Sequence, residues 1–159
     1  MVLLAGGCVC PDIDCAVSVS SPRAAEIDSD VRAFLNQWVT AFESRDIDAV
    51  RSILTDDERF VWLEDGETKY PTVDAVAAAL ASFPPALQFD YRLENVQVSP
   101  IGPDAAWARM NTHTEIHQGD ETVAQFRGVV SMFLENKYGE WRIVAAHTSN
   151  VNQRARPRD

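Results

Sequence analysis

The sequence predicts an α+β domain in which three N-terminal helices cover one face of a curved antiparallel sheet. Three observations carry this. Apolar residues recur at steps of three and four through the first half of the chain, which is the period of a helix with one buried stripe. Through the second half they alternate with polar residues, which is the period of a strand with one dry face. The alternating segments are separated by turns short enough for antiparallel hairpins, so helices and strands are segregated along the chain.

The first helix is marked from Ile27 by Val31, Phe34, Leu35, Trp38, Val39 and Phe42, with Asp28 or Ser29 available as its cap and "ESRD" as its break. A shorter helix follows from Asp46, with Ile47, Val50, Ile53 and Leu54 on one side, and "TDDER" ends it. "FVWLEDGETKY" reads as a hairpin, because Asp65-Gly66 supplies the positive φ that a tight reversal needs. "TVDAVAAALASF" is the third helix, with Thr72 as cap and Pro84-Pro85 as its stop. Four long strands follow. "LQFDYRLENVQVS" sets Phe89, Tyr91 and Leu93 against Asp90, Arg92 and Glu94, and "PIGPD" turns it. "AAWARMNTHTEIH", "ETVAQFRGVVSMFLE" and "EWRIVAAHTSN" complete a meander through "QGD" and "NKYG".

With 159 residues, 46% of them hydrophobic, the chain fits one domain with a real core. A net charge of −10 sets it against nucleic-acid phosphate, and the basic tail (153–159) reads as a solvated terminus. All three cysteines, Cys8, Cys10 and Cys15, fall in "CVCPDIDC". The preceding "MVLLAGG" resembles the end of a bacterial lipoprotein signal, so residues 1–26 read as a truncated signal and polar tether, with Cys8 the lipidated residue and the cell envelope the location. The opposing reading is a cytoplasmic arm with three incidental thiols. Metal binding is disfavoured there, because structural zinc takes four ligands and no histidine is near in sequence.

"WVTAFESRDIDAVRSIL", "IGPDAAWARM" and the closing "WRIVAAHTS" together resemble the nuclear transport factor 2-like superfamily, closest to its SnoaL-like and ketosteroid-isomerase-like bacterial domains, over residues 27–152. The resemblance implies a cystatin-like cone whose sheet wraps the first helix, a pocket at its open end, and a homodimer through the outer sheet face. It does not fix an activity, since the fold hosts many.

Within that frame, the three histidines, His113, His117 and His147, all fall on the terminal strands. Histidine titrates near neutrality, which suits a general acid or base. Simple alternation puts His147 on the face of Trp141, Ile143 and Ala145, with Ser149 beside it at the pocket mouth; the competing reading is a hydrogen-bonded histidine packing the sheet end. Tyr91, on a dry face, could donate to a developing oxyanion, and Arg127 could hold an anionic group or pair with Glu115. Trp38, Phe42, Trp62, Met110 and His113 are the expected pocket wall. "WARMNTHTEIH" offers two parities, Trp107 to His117 and Ala106 to Ile116, and the sequence does not say which faces inward. Asp90 adjoins Tyr91 and so points to the other face, which argues against a steroid-isomerase site built on that tyrosine.

No phosphate loop, metal-binding helix motif or nucleophile elbow occurs, and no cofactor is implied. The expected function is binding of a small apolar or amphipathic molecule in a mainly apolar pocket. The alternatives are a cofactor-independent isomerase, cyclase or dehydratase using His147, Tyr91 and Arg127, and a non-catalytic dimerisation module. No nucleic-acid partner is expected, and a membrane only through the lipid anchor.

Overall fold

The computed structural model describes residues 19–151. Cys8, the rest of the N-terminal tether and the basic tail lie outside the described residues. Helix α1 (Ser21–Ser44) has 24 residues, about 36 Å at the usual rise, and buries Ile27, Val31, Phe34, Leu35, Trp38 and Ala41 along one stripe. It begins a turn and a half before the expected start. Pro22 sits where no amide donor is needed, and Asp28 pairs with Arg32 at 2.7 Å across one turn instead of capping. Arg45, in the left-handed conformation with φ 53°, ends the helix by turning its amide back to Ala41 and Phe42.

The next helices are capped as their sequences suggest. In α2 (Ile47–Ser52) the Asp46 side chain accepts from the Ala49 amide; in α3 (Val73–Ala81) Thr72 accepts from the Ala75 amide. Between them lie β1 (Val61–Glu64) and β2 (Glu67–Tyr70), reversed at Asp65 and Gly66 with φ of 51° and 90°. The meander comprises β3 (Leu87–Gly102), β4 (Ala105–Gln118), β5 (Glu121–Lys137) and β6 (Glu140–Asn150). Strand β3 runs further than expected, through Pro100. It can do so because it is a sheet edge, where a missing amide donor breaks no ladder.

The six strands form one sheet in the order β2-β1-β6-β5-β4-β3. The sheet is mixed, which corrects the antiparallel expectation: β1 lies parallel to β6, pairing Trp62 with Ala146 and Leu63 with His147. The chain leaves the helices to join the sheet at the far side of its last strand, and a parallel pair results. The inner face packs on α1 through Ala106, Ala108, Met110, Val130, Met132, Leu134 and Ile143, each at most 1% exposed. Two local features bend the sheet around the helix. One is a register shift in β3 at Asn95, whose φ is 54°. The other lies where Phe133 pairs with Ala145 but Leu134 with Ile143, leaving Val144 as an inserted residue in β6.

Candidate functional site

At the open end of the cone, α1, α3 and the inner sheet face diverge and leave a cavity of about 290 Å³. Helix α1 supplies Trp38, Phe42 and Glu43, and the β1–β2 hairpin supplies Trp62, Glu64 and Tyr70. Across from them, β3 and β4 contribute Phe89, Tyr91, Thr112, Thr114 and Ile116, and β6 contributes Thr148 and Asn150. Leu80, Phe83 and the half-exposed Phe126 form the rim.

The wall is an aromatic cluster. Trp38 meets Tyr91 edge-on at 5.2 Å between ring centres and Phe42 at 5.6 Å, while Trp62 lies 5.9 Å from Phe42 and 6.3 Å from Tyr70. Edge-to-face pairs of this kind add about 0.5–1.5 kcal/mol each beyond area burial, so the rings hold one another in place. Trp62 Nε1 donates to the Thr148 hydroxyl at 3.0 Å, fixing the ring across the sheet. Trp38 Nε1 has no partner among the described residues, so that ring is held by packing alone.

Polar groups enter the cavity at fixed points. Glu43 accepts the Tyr91 amide at 2.7 Å; this carboxylate stands where a further strand would pair with the edge strand β3. Glu64 accepts from Asn150 Nδ2 at 2.9 Å. Asp65, at the hairpin turn, accepts the Asn150 amide at 2.8 Å, and these hydrogen bonds hold its carboxyl below the ordinary range. Together they fasten the last residue of β6 to the β1–β2 hairpin. Burial pushes the Tyr91 phenol up to about 12, against a smaller opposing effect of the neighbouring Thr112 and Thr114 hydroxyls. Tyr91 therefore stays a protonated donor near neutral pH.

The expected site residues divide between the two faces of the sheet. Trp38, Phe42, Trp62 and Tyr91 line the cavity. Met110 faces the same way but lies deeper, sealed in the core at 1% exposure. His147 and Ser149 face outward, not into the cavity. The inserted Val144 shifts the register by one residue, and such a shift sends every following side chain to the other face. Ala146, Thr148 and Asn150 take the inner positions instead, opposite Met132, Val130 and Gly128. Arg127 and His113 are also on the outer face, directly opposite each other on β5 and β4. His147, Tyr91 and Arg127 thus do not converge.

The inward parity of β4 is the smaller one, from Ala106 to Ile116. On the outer face Glu115 lies 3.6 Å from both His113 and His117 and accepts from Gln125 at 3.1 Å. Asp90 is outward as expected, held in its charged form by Arg92 at 2.8 Å. Among the described residues no three histidine, cysteine or carboxylate side chains gather as a metal-ligand set. Alternation from Tyr91 through its partner Thr114 would have found Thr112, Thr114 and Phe126. Glu43 and Glu64 carry no local signal, because their placement depends on how α1 and the hairpin meet the sheet.

A larger recess of about 460 Å³ lies at the opposite end, between α1, α2 and the β5–β6 turn. Asp30, Gln37, Ser52 and Glu140 line much of it, and its aromatic lining among the described residues is Phe34 and Trp141.

Fold and cavity define an α+β cone of the nuclear transport factor 2-like class. A family model described as a SnoaL-like domain matches residues 31–153, and the chain belongs to that family. Among solved structures, a nuclear transport factor 2-like protein from Salmonella enterica matches with a TM-score of 0.69 at 13% identity, covering 85% of this chain and 98% of its own. A protein from Novosphingobium aromaticivorans, provisionally assigned as a scytalone dehydratase, matches with a TM-score of 0.71 at 8% identity, covering 83% and 89%. The β subunit of benzoate 1,2-dioxygenase from Burkholderia mallei matches with a TM-score of 0.67 at 18% identity, covering 78% and 90%. At these identities the likeness establishes the fold alone. No curated protein matches the chain in sequence.

Proposed function

We propose that this SnoaL-like domain binds a small, largely apolar molecule in the aromatic cavity at the open end of its cone. The carrying observation is the cavity itself: an apolar wall with a few polar groups aimed inward, which is the usual composition of a small-molecule site. Trp38, Phe42 and Trp62 supply contact area, while Tyr91, Thr114 and Asn150 supply orientation. The relatives' range, from a provisionally assigned dehydratase to a dioxygenase subunit, is consistent with one cone serving several chemistries. The histidine-based acid–base alternative loses its geometric support, because His147 and Arg127 stand on the face away from Tyr91.

The test is to extract small molecules from purified protein and identify them by mass spectrometry, beside the cavity-filling variant Thr114→Trp. A compound retained by the wild type and lost from the folded variant supports the reading. Equal retention by both, or none by either after exposure to a cell extract, overturns it.

The reading extends to a homodimer through the outer sheet face, where Trp107 and Val129 are each 37% exposed beside the partly buried Phe133. Sedimentation of the wild type as a dimer and of Trp107→Glu as a monomer supports this; a monomeric wild type contradicts it.

A further inference from the structure

The charge and composition of the cavity wall narrow the ligand class, given that the cavity is a small-molecule site. Eight aromatic rings line it against two aliphatic side chains, Leu80 and Ile116. A pocket needing only apolar area could be lined as well by leucine and valine; aromatic faces add a negative quadrupole that attracts cations. Among the described residues the same wall carries two carboxylates, Glu43 and Glu64, and no lysine, arginine or histidine.

Among the described residues Glu43 has no cation within ion-pair distance, and Glu64 has one, at the solvent edge. Lys69 is 3.8 Å from Glu64 Oε2 with its side chain 55% exposed, on the solvent side of the hairpin. Arg45 is engaged outside, donating to the carbonyls of Phe83, Pro84 and Pro85. Its guanidinium also stands 5.8 Å from the centre of the Phe89 ring, so one ring of this wall already carries a cation. Glu43 spends one oxygen on the Tyr91 amide and keeps the other, while Glu64 gives Oε1 to Asn150 and shares Oε2 only with the exposed Lys69. Carboxylates beside an aromatic surface are costly to desolvate unless a positive group meets them. The net charge of −10 favours the approach of a cation and opposes that of an anion.

We propose that the cavity selects a cationic amine, a tertiary or quaternary ammonium carried on an apolar or aromatic body, with the charge between Glu43 and Glu64 and the body against Trp38, Phe42 and Trp62. This rests on the small-molecule reading above. The ammonium completes the electrostatics of the wall, and the body fills the apolar depth.

Three probes of nearly one shape test it by calorimetric titration of the full chain: phenyltrimethylammonium, the neutral tert-butylbenzene and the anionic 4-tert-butylbenzoate. The expected result is that the cation binds about tenfold tighter than the neutral probe, the anion binds more weakly than either, and added salt weakens only the cation. The double variant Glu43→Gln, Glu64→Gln removes the preference while keeping the neutral probe's affinity. The single Glu64→Gln, which leaves the Tyr91 contact intact, gives a smaller loss in the same direction if the double variant does not fold. If the neutral or anionic probe binds as tightly as the cation, and Thr114→Trp abolishes that binding, the cation inference is wrong and the small-molecule reading stands. If no probe binds, or binding survives in folded Thr114→Trp, both fall.

Discussion

Tyr91 is where the cavity's packing, hydrogen bonding and titration meet. Its ring contacts Trp38, its amide is taken by Glu43, and its phenol is pushed up to about 12 by burial. The folded protein therefore favours the neutral phenol more than the unfolded chain does. That contribution to stability is fully present below the ordinary tyrosine value of about 10 and is lost as pH rises toward 12. Urea unfolding between pH 9 and 11, on the order of one unit either side of that ordinary value, is expected to show a steeper loss for wild type than for Tyr91→Phe. Identical slopes would show that the phenol is not buried in this way. The inward direction of Tyr91 was legible, because it shares a parity with Phe89 and Leu93. The outward direction of His147 was not: one inserted residue at Val144, invisible to counting by twos, reverses everything after it.

At the scale of elements, local chemistry made most boundaries readable. Asp46 and Thr72 cap the helices that follow them, Asp65-Gly66 turns the hairpin, and Pro84-Pro85 lies just past α3. Two element-level facts were out of reach. Partner choice across the sheet, which made β1 parallel to β6, is a long-range outcome that no local signal encodes. The close approach of β6 to β5 at Gly128 is another. A Cβ placed there would stand 2.7 Å from the Ser149 carbonyl oxygen, so the strand must carry a glycine for the end of β6 to reach Asp65. Gly128→Ala is expected to cost about 1–3 kcal/mol in urea unfolding, the usual range for overpacking a tight site. It should also loosen the Asn150–Asp65 clamp, seen as faster amide exchange at Asn150. An unchanged midpoint and exchange rate would mean the two strands are not held this closely.

The whole molecule is a bent sheet wrapped on one long helix, closed by the core at one end and opened at the other by aromatic side chains that pack on each other without filling the space. Among the described residues no helix is long and apolar enough to cross a membrane. The cone and its class were legible because three separated segments agreed in order with one fold. The position and chemistry of the cavity wall were only half legible, since Glu43, Glu64 and Tyr70 reach it from elements whose docking the sequence does not state. The four tryptophans report on the central claim, that the functional face is the inner one. Trp38 and Trp62 line the cavity, Trp107 is on the outer sheet face, and Trp141 is at the opposite end. The most direct measurement is the two-dimensional proton–nitrogen spectrum of the four indole groups during titration with phenyltrimethylammonium and, separately, tert-butylbenzene. The Trp38 and Trp62 signals are expected to move with at least one probe while those of Trp107 and Trp141 stay in place; movement of Trp107 alone, or of none, would contradict an inner-face site.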